Sequence, residues 1–180
     1  MRIGSGVSIE ELLQSSDRRQ HAAIPEMDAL EEADALQEAD LVDVRFDIGG
    51  SSLAMLFDLR TALQFRLANT AVLVVRDVEQ VHWVATHESA LSRGRVAHYV
   101  MSSTPVTGEG GFAFELVCLR GWHLHIAGSS AEFFVGDIPG LAGVPPNFVD
   151  DDDRSIADAM PAWGSMFEPG WATFLDPMTP

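Results

Sequence analysis

The chain contains no lysine; its eleven basic residues are all arginine. A Schiff base needs a lysine amine and a phosphate-binding P-loop needs its lysine, so a pyridoxal enzyme and a Walker-type nucleotidase are excluded. Cysteine occurs once, at Cys118, which rules out an intramolecular disulfide. The apolar run Phe112–Leu119 around it suits a buried, inert thiol better than a nucleophile. No stretch approaches 18 consecutive apolar residues, so no membrane-spanning helix is expected. The start, MRIGSGVSIEELL, lacks the long apolar segment of a signal peptide. Together these absences point to the cytoplasm.

What is present is acid and apolar bulk. The 180 residues include 47% hydrophobic side chains and ten phenylalanines, enough for one domain with its own core. The formal net charge is −16, and it is unevenly placed. Residues 1–40 carry ten acids against three arginines, and residues 150–180 carry seven against one. The 109 residues between hold ten acids and seven arginines. Such a field repels phosphate backbones and anionic lipid, which argues against nucleic-acid or membrane binding; it attracts a basic protein.

The expected organisation is an acidic helical and linker extension over 1–40, followed by one β-rich domain over 41–180. Ser8 and Glu11 fit a capping box at the start of a short helix. Residues 14–25 read as a linker. Met27–Ala39 has spaced Met27, Leu30, Ala33 and Leu36, a weak apolar stripe on a very acidic helix. From Leu41 the period changes to two: Val42, Val44, Phe46 and Ile48 alternate with charged residues, which predicts a half-buried strand. Gly49-Gly50 supplies a turn, and Leu53, Met55, Phe57 and Leu59 continue the hairpin. Thr61–Leu67 suits either a strand or a helical turn. Further strands are expected at Ala71–Val75, Val78–Ala85, Val96–Ser102, Phe112–Leu119, Trp122–Ala127 and Ala131–Val135. Arg93-Gly94-Arg95 and Thr107–Gly111 form breaks between strands. About eight short strands without βαβ alternation predict a mainly β fold, an antiparallel sandwich or rolled sheet, with short helices near both termini. Arg154–Met160 is the C-terminal helix, and the aromatics beyond it are expected to pack across the core.

Two groups of residues carry functional readings. The acids Asp150, Asp151, Asp152 and Asp153, with Glu31, Glu32 and Asp34, would steer a basic partner, and Trp163 and Trp171, where exposed, would anchor it. The same four aspartates also read as a solvated turn that caps the following helix. His123 and His125, at i and i+2 on a strand, project from one face as metal ligands can; His82, His98 or an aspartate could complete a site if the fold brings them close. They read equally as half-exposed histidines on a strand with Trp122, Leu124 and Ile126 inward. Asp150–Asp153 lacks the spacing and closing glutamate of a calcium loop. His87-Glu88 lacks the second histidine of a zincin. No catalytic constellation emerges and no cofactor is implied.

Three segments, LRTALQFRLANTAVLVVRDV (59–78), AEFFVGDIPGL (131–141) and WATFLDP (171–177), carry a resemblance to small acidic actinobacterial proteins of unknown function. Those in turn are similar to immunity proteins of polymorphic toxin systems. The resemblance covers about residues 41–178. It implies a cytoplasmic, β-rich protein that neutralises a toxin by binding it, and it transfers no functional residue. The alternatives from the residues themselves are a metal-dependent or small-molecule enzyme centred on His123 and His125, and an accessory structural domain.

Overall fold

The computed structural model describes residues 6–14, 22–24, 26–85, 97–108, 111–141 and 143–176. Most of the expected linker, the Arg93-Gly94-Arg95 break, His87-Glu88 and the middle of the 107–111 loop lie outside these residues. The elements are β1 (Val7–Ser8), α1 (Ile9–Gln14), β2 (Asp40–Asp47), β3 (Ser52–Asp58), β4 (Thr70–Val84), β5 (His98–Gly108), β6 (Gly111–Cys118), β7 (Trp122–Asp137), α2 (Asp153–Ala159) and β8 (Met166–Leu175). All eight strands join one antiparallel sheet in the order β1-β8-β7-β4-β3-β2-β5-β6, and β6 pairs back onto β7. The expected mainly β, rolled architecture with short helices near both termini is therefore present. No helix of the described residues is long and apolar enough to cross a membrane.

Two long strands do the rolling. The pairs of short strands expected at 71–85 and 122–135 are each one continuous strand, β4 and β7, paired with each other along their whole length. One half of this pair is flanked by β3 and β8, the other by β6. Between the halves the register slips at Val78/Gln80, and a bulge of this kind bends and twists a sheet. Gly128 sits at the bend: a methyl group there would stand 2.5 Å from Arg76 O and 2.7 Å from Val75 Cγ1. Gly128→Ala is accordingly expected to destabilise the protein by roughly 1–3 kcal/mol through overpacking, read as a lower urea midpoint with unchanged slope.

Rolling the sheet gives it two cores. On the inner side Leu53, Met55 and Phe57 of β3 meet Leu73 and Val75 of β4, Phe133 of β7 and, from the overlying half, Phe112, Phe114 and Ile126. The alternate residues Ala54, Leu56, Val72, Val74 and Phe134 face outward. This outer face is covered by Leu12 and Leu13 of α1, Ile156 of α2, and Trp163 and Phe167 of the C-terminal segment. Because both faces are packed, β3 is buried over its whole length. That is why its sequence is nearly continuously apolar. Burying one such Leu or Phe side chain stabilises by about 1.5–3 kcal/mol.

The ends of the chain clasp each other on the outer face. Ser8 N donates to Glu11 Oε2 at 3.1 Å, half of the expected capping box. Val7 pairs with Phe167, and Glu10 N donates to Trp163 O at 3.0 Å. Arg76 closes the other end of α1 by donating to Leu12 O and Leu13 O while it pairs with Glu132 at 2.9 Å.

Three expectations are corrected. Met27–Ala39 is a run of turns, not a helix. Asp34 and Glu38 take positive φ (60° and 68°), and their amides donate to Ser103 O and Val100 O of β5. A helix this acidic is weak alone, and pairing with β5 wins. Ala29, Leu30, Ala35, Leu36 and Ala39 are buried in the inner core as a result. In β2 the alternation fails at its end: Phe46 and Ile48 are exposed. The register shift between Leu41 and Asp43 re-aims the strand, and its hairpin end is less covered. Thr61–Leu67 is neither strand nor helix but successive turns and bends.

Candidate functional site

Asp28, Glu32, Asp34 and Asp150–Asp152 accept from main-chain and side-chain donors rather than from arginine side chains, whereas Glu10 pairs with Arg45 and Asp158 with Arg154. Asp28 Oδ1 accepts from Leu30 N and from Thr173 Oγ1 of β8, both at 2.9 Å, and Glu32 Oε1 accepts from Asp28 N at 2.9 Å. Asp34 Oδ1 accepts from Ser103 N at 3.2 Å. Glu31 is exposed beside them. At the other end Asp150 accepts from Asn147 Nδ2 at 2.6 Å and Asp151 from Asn147 N at 2.8 Å. Asp152 is the N-cap of α2, accepting from Arg154 N at 3.0 Å and Ser155 N at 2.9 Å. The Ser155 amide and hydroxyl, then the Arg154 amide, hold its carboxyl below the usual aspartate range. Asp153 opens the helix. Among the described residues no arginine stands at salt-bridge distance from Asp28, Glu31, Glu32, Asp34 or Asp150–Asp153.

These two acidic stretches are anchored in different cores. Leu30 and Leu36 fix the first to the inner core, and Ile156 and Met160 fix the second to the outer one. Their charges therefore form two separate surfaces, one bordering β8 and one on the loop and first turn of α2.

The tryptophans are not equivalent. Trp163 is 3% exposed, its Nε1 donates to Asp43 Oδ2 at 2.7 Å, and Arg45 lies over its ring at 5.1 Å. It is a core residue, and the anchor role expected for it is corrected on that ground: an indole buried and hydrogen-bonded at its own Nε1 offers no surface to a partner. Trp171 in β8 is half-buried against the inner core. The aromatic tail packs on the sheet, as its composition suggested.

His123 and His125 lie on the outer side of β7, alternating with the buried Leu124 and Ile126. His123 Nε2 stands 2.6 Å from Glu115 Oε1 of β6. His98 is elsewhere, against the Trp122 ring at 4.3 Å between centroids. Burial, then the Arg120 charge, lowers its pKa. As the side chains stand, no three His, Cys, Asp or Glu among the described residues converge as a ready metal cage. Cys118 is buried, and burial followed by the Asp40 charge pushes its thiol up to about 12, so it is not a nucleophile at neutral pH.

Sequence reasoning missed the buried charges. Asp58 and Arg60 form a fully buried pair, and Asp40 stands opposite Asp58 across the β2–β3 ladder. Charged residues in apolar strands were the available signal. Beside this pair, Leu59, Phe65, Leu63, Arg66 and Leu67 line a shallow cleft of about 530 Å³. No known protein family, curated protein or solved structure matches the chain.

Proposed function

We propose that this is a non-enzymatic, acidic binding protein of the cytoplasm that docks on a basic protein, in the manner of an immunity protein blocking a toxin domain. The observation that supports it is the pinning of Asp150, Asp151, Asp152 and Asp34 by hydrogen-bond donors, with no arginine side chain among the described residues at salt-bridge distance from them. Carboxylates left unpaired yet fixed in place present their full charge to a partner in a constant pattern, which speeds encounter and suppresses wrong partners. The chain's −16 charge extends that pull beyond contact. The working surface is the Asp150–Asp153 turn, with Glu31, Glu32 and Asp34 as a second, separate one, and Trp171 of β8 is the half-buried tryptophan left as an anchor.

The test is capture of partners from the native host at low and at high salt, followed by kinetics on the purified pair. The triple variant Asp150→Asn, Asp151→Asn, Asp153→Asn keeps the Asp152 cap. It is expected to slow association about tenfold at low salt, within the range that steering supplies, with less effect at high salt. If no basic protein is enriched, or if capture ignores salt, the electrostatic reading fails.

A further inference from the structure

The register of three strands puts a second chemistry on the opposite side of the rolled sheet from its core. In β7, Leu124 and Ile126 are buried, so His123 and His125 project outward. The β4–β7 ladder sets His82 directly opposite His125, and the β6–β7 ladder sets Glu115 directly opposite it on the other side. Directly paired residues of an antiparallel ladder share a face. His82, His125 and Glu115 thus form one transverse row across β4, β7 and β6, with His123 next to it along β7. Opposed side chains have Cβ atoms about 4.5–5.5 Å apart and diagonal ones about 7–8 Å, spans that imidazole arms can close onto one ion.

From this juxtaposition we infer that the outer face of β4 and β7 binds one late first-row divalent cation, with His82, His123 and His125 as its ligands and Glu115 as the residue that positions His123. A carboxylate hydrogen-bonded to one ring nitrogen fixes the tautomer and leaves the lone pair on the other for the metal; the 2.6 Å contact of His123 Nε2 with Glu115 Oε1 does this before any ion arrives. The three rings do not converge as they stand. His82 is exposed and His125 half-buried, so with His123 held by Glu115 convergence needs only rotation of these two surface side chains between staggered wells. Three imidazoles select Zn²⁺, Cu²⁺ or Ni²⁺ over Mg²⁺ and Ca²⁺, and they leave one coordination position for water. The net charge of −16 raises the local concentration of any cation. His98, held against Trp122, is outside the set.

The probe is Zn²⁺ alone, titrated calorimetrically into untagged, chelator-treated full-length protein, with metal content measured after dialysis. Saturable binding of one equivalent is expected, unaffected by excess Mg²⁺. His82→Ala, His123→Ala and His125→Ala should each weaken it at least tenfold. Glu115→Gln should weaken it by about tenfold, as loss of a carboxylate behind a ligand does. His98→Ala should leave it unchanged. Far-UV circular dichroism establishes that each variant is folded; His82 is the decisive position because it is exposed and on a different strand from the other two. A visible Co²⁺ absorption band that disappears in His82→Ala would give the same answer spectroscopically. Unsaturable or sub-stoichiometric Zn²⁺, or full affinity in a folded His82→Ala, would overturn the assignment.

Discussion

Arg60→Ala is expected to destabilise the protein by about 3–5 kcal/mol, the usual effect of removing one partner from a buried ion pair. Asp58 is 0% exposed and the Arg60 side chain 3%. The guanidinium grips the carboxylate with both edges, Nε to Oδ1 at 2.9 Å and Nη2 to Oδ2 at 2.6 Å. It also donates to Ala159 O at 2.9 Å, at the end of α2, and to Val144 O at 3.1 Å. Alanine would leave a carboxylate stranded in the sheet and free two carbonyls that hold the C-terminal segment. The pair itself is no proof of added stability, because desolvating two charges offsets much of their attraction. The informative comparison is the double variant Asp58→Asn, Arg60→Ala in urea unfolding. It should be less damaged than the sum of the single changes. A cost below about 1 kcal/mol for Arg60→Ala would show that water reaches Asp58 and that Arg60 does not hold the C-terminal segment.

The second large effect has the opposite sign. Asp40→Asn should stabilise the protein at neutral pH. Asp40 is 8% exposed. Burial first, and the facing Asp58 second, raise its pKa from 3.8 to about 6, against the hydrogen bond from Thr61 and the charge of Arg60. The folded state therefore holds its proton more tightly than the unfolded state. Stability from this group is fully present below about pH 4 and is lost as pH rises through about 6. Two pKa units correspond to about 3 kcal/mol. Asparagine has no charge to bury, so the variant's advantage should approach that figure at pH 7.5. It should shrink at pH 5.5 and vanish below pH 4. General repulsion among the acids affects both proteins nearly equally and cancels in the difference. A wild type that is the more stable at pH 7.5, or a gap that does not change with pH, would contradict the assignment.

Much of the fold was legible because local chemistry and final packing agree. The continuous run Ala71–Val75 belongs to a strand packed on both faces, and Ser8 with Glu11 begins a helix as the capping box requires. Asp152 caps α2 where carboxylates precede a helical stretch. Other features depend on partners far along the chain. The turns of 27–39 exist because Asp34, Leu36 and Glu38 bond to β5, residues that no local period announces. Trp163 is buried because Asp43, 120 positions away, accepts its N–H. An aromatic in a Pro- and Gly-rich tail reads equally as anchor or as core. The two histidines of the i, i+2 pair were visible at once, but the placement of His82 against them is a property of register. Register across separate strands is fixed by turns and packing, not by the residues that end up opposed.

The clasp between the two ends sets the timetable of synthesis. Val7 and Ser8 wait for Phe167 and Met166, and α1 is bonded to Trp163 O and Ser165 O. The apolar surface of Ala54, Leu56, Val72 and Val74 is thus made long before its cover emerges from the ribosome. A nascent chain carries this core uncovered from the synthesis of Val74 until that of Trp163 and Phe167, at a synthesis rate of about 5–20 residues per second, and contacts of such long sequence separation form slowly even afterwards. Until residues 163–175 are made the sheet lacks β8 and its outer face lacks a cover, and that interval is when the chain is most open to chaperones and to proteolysis.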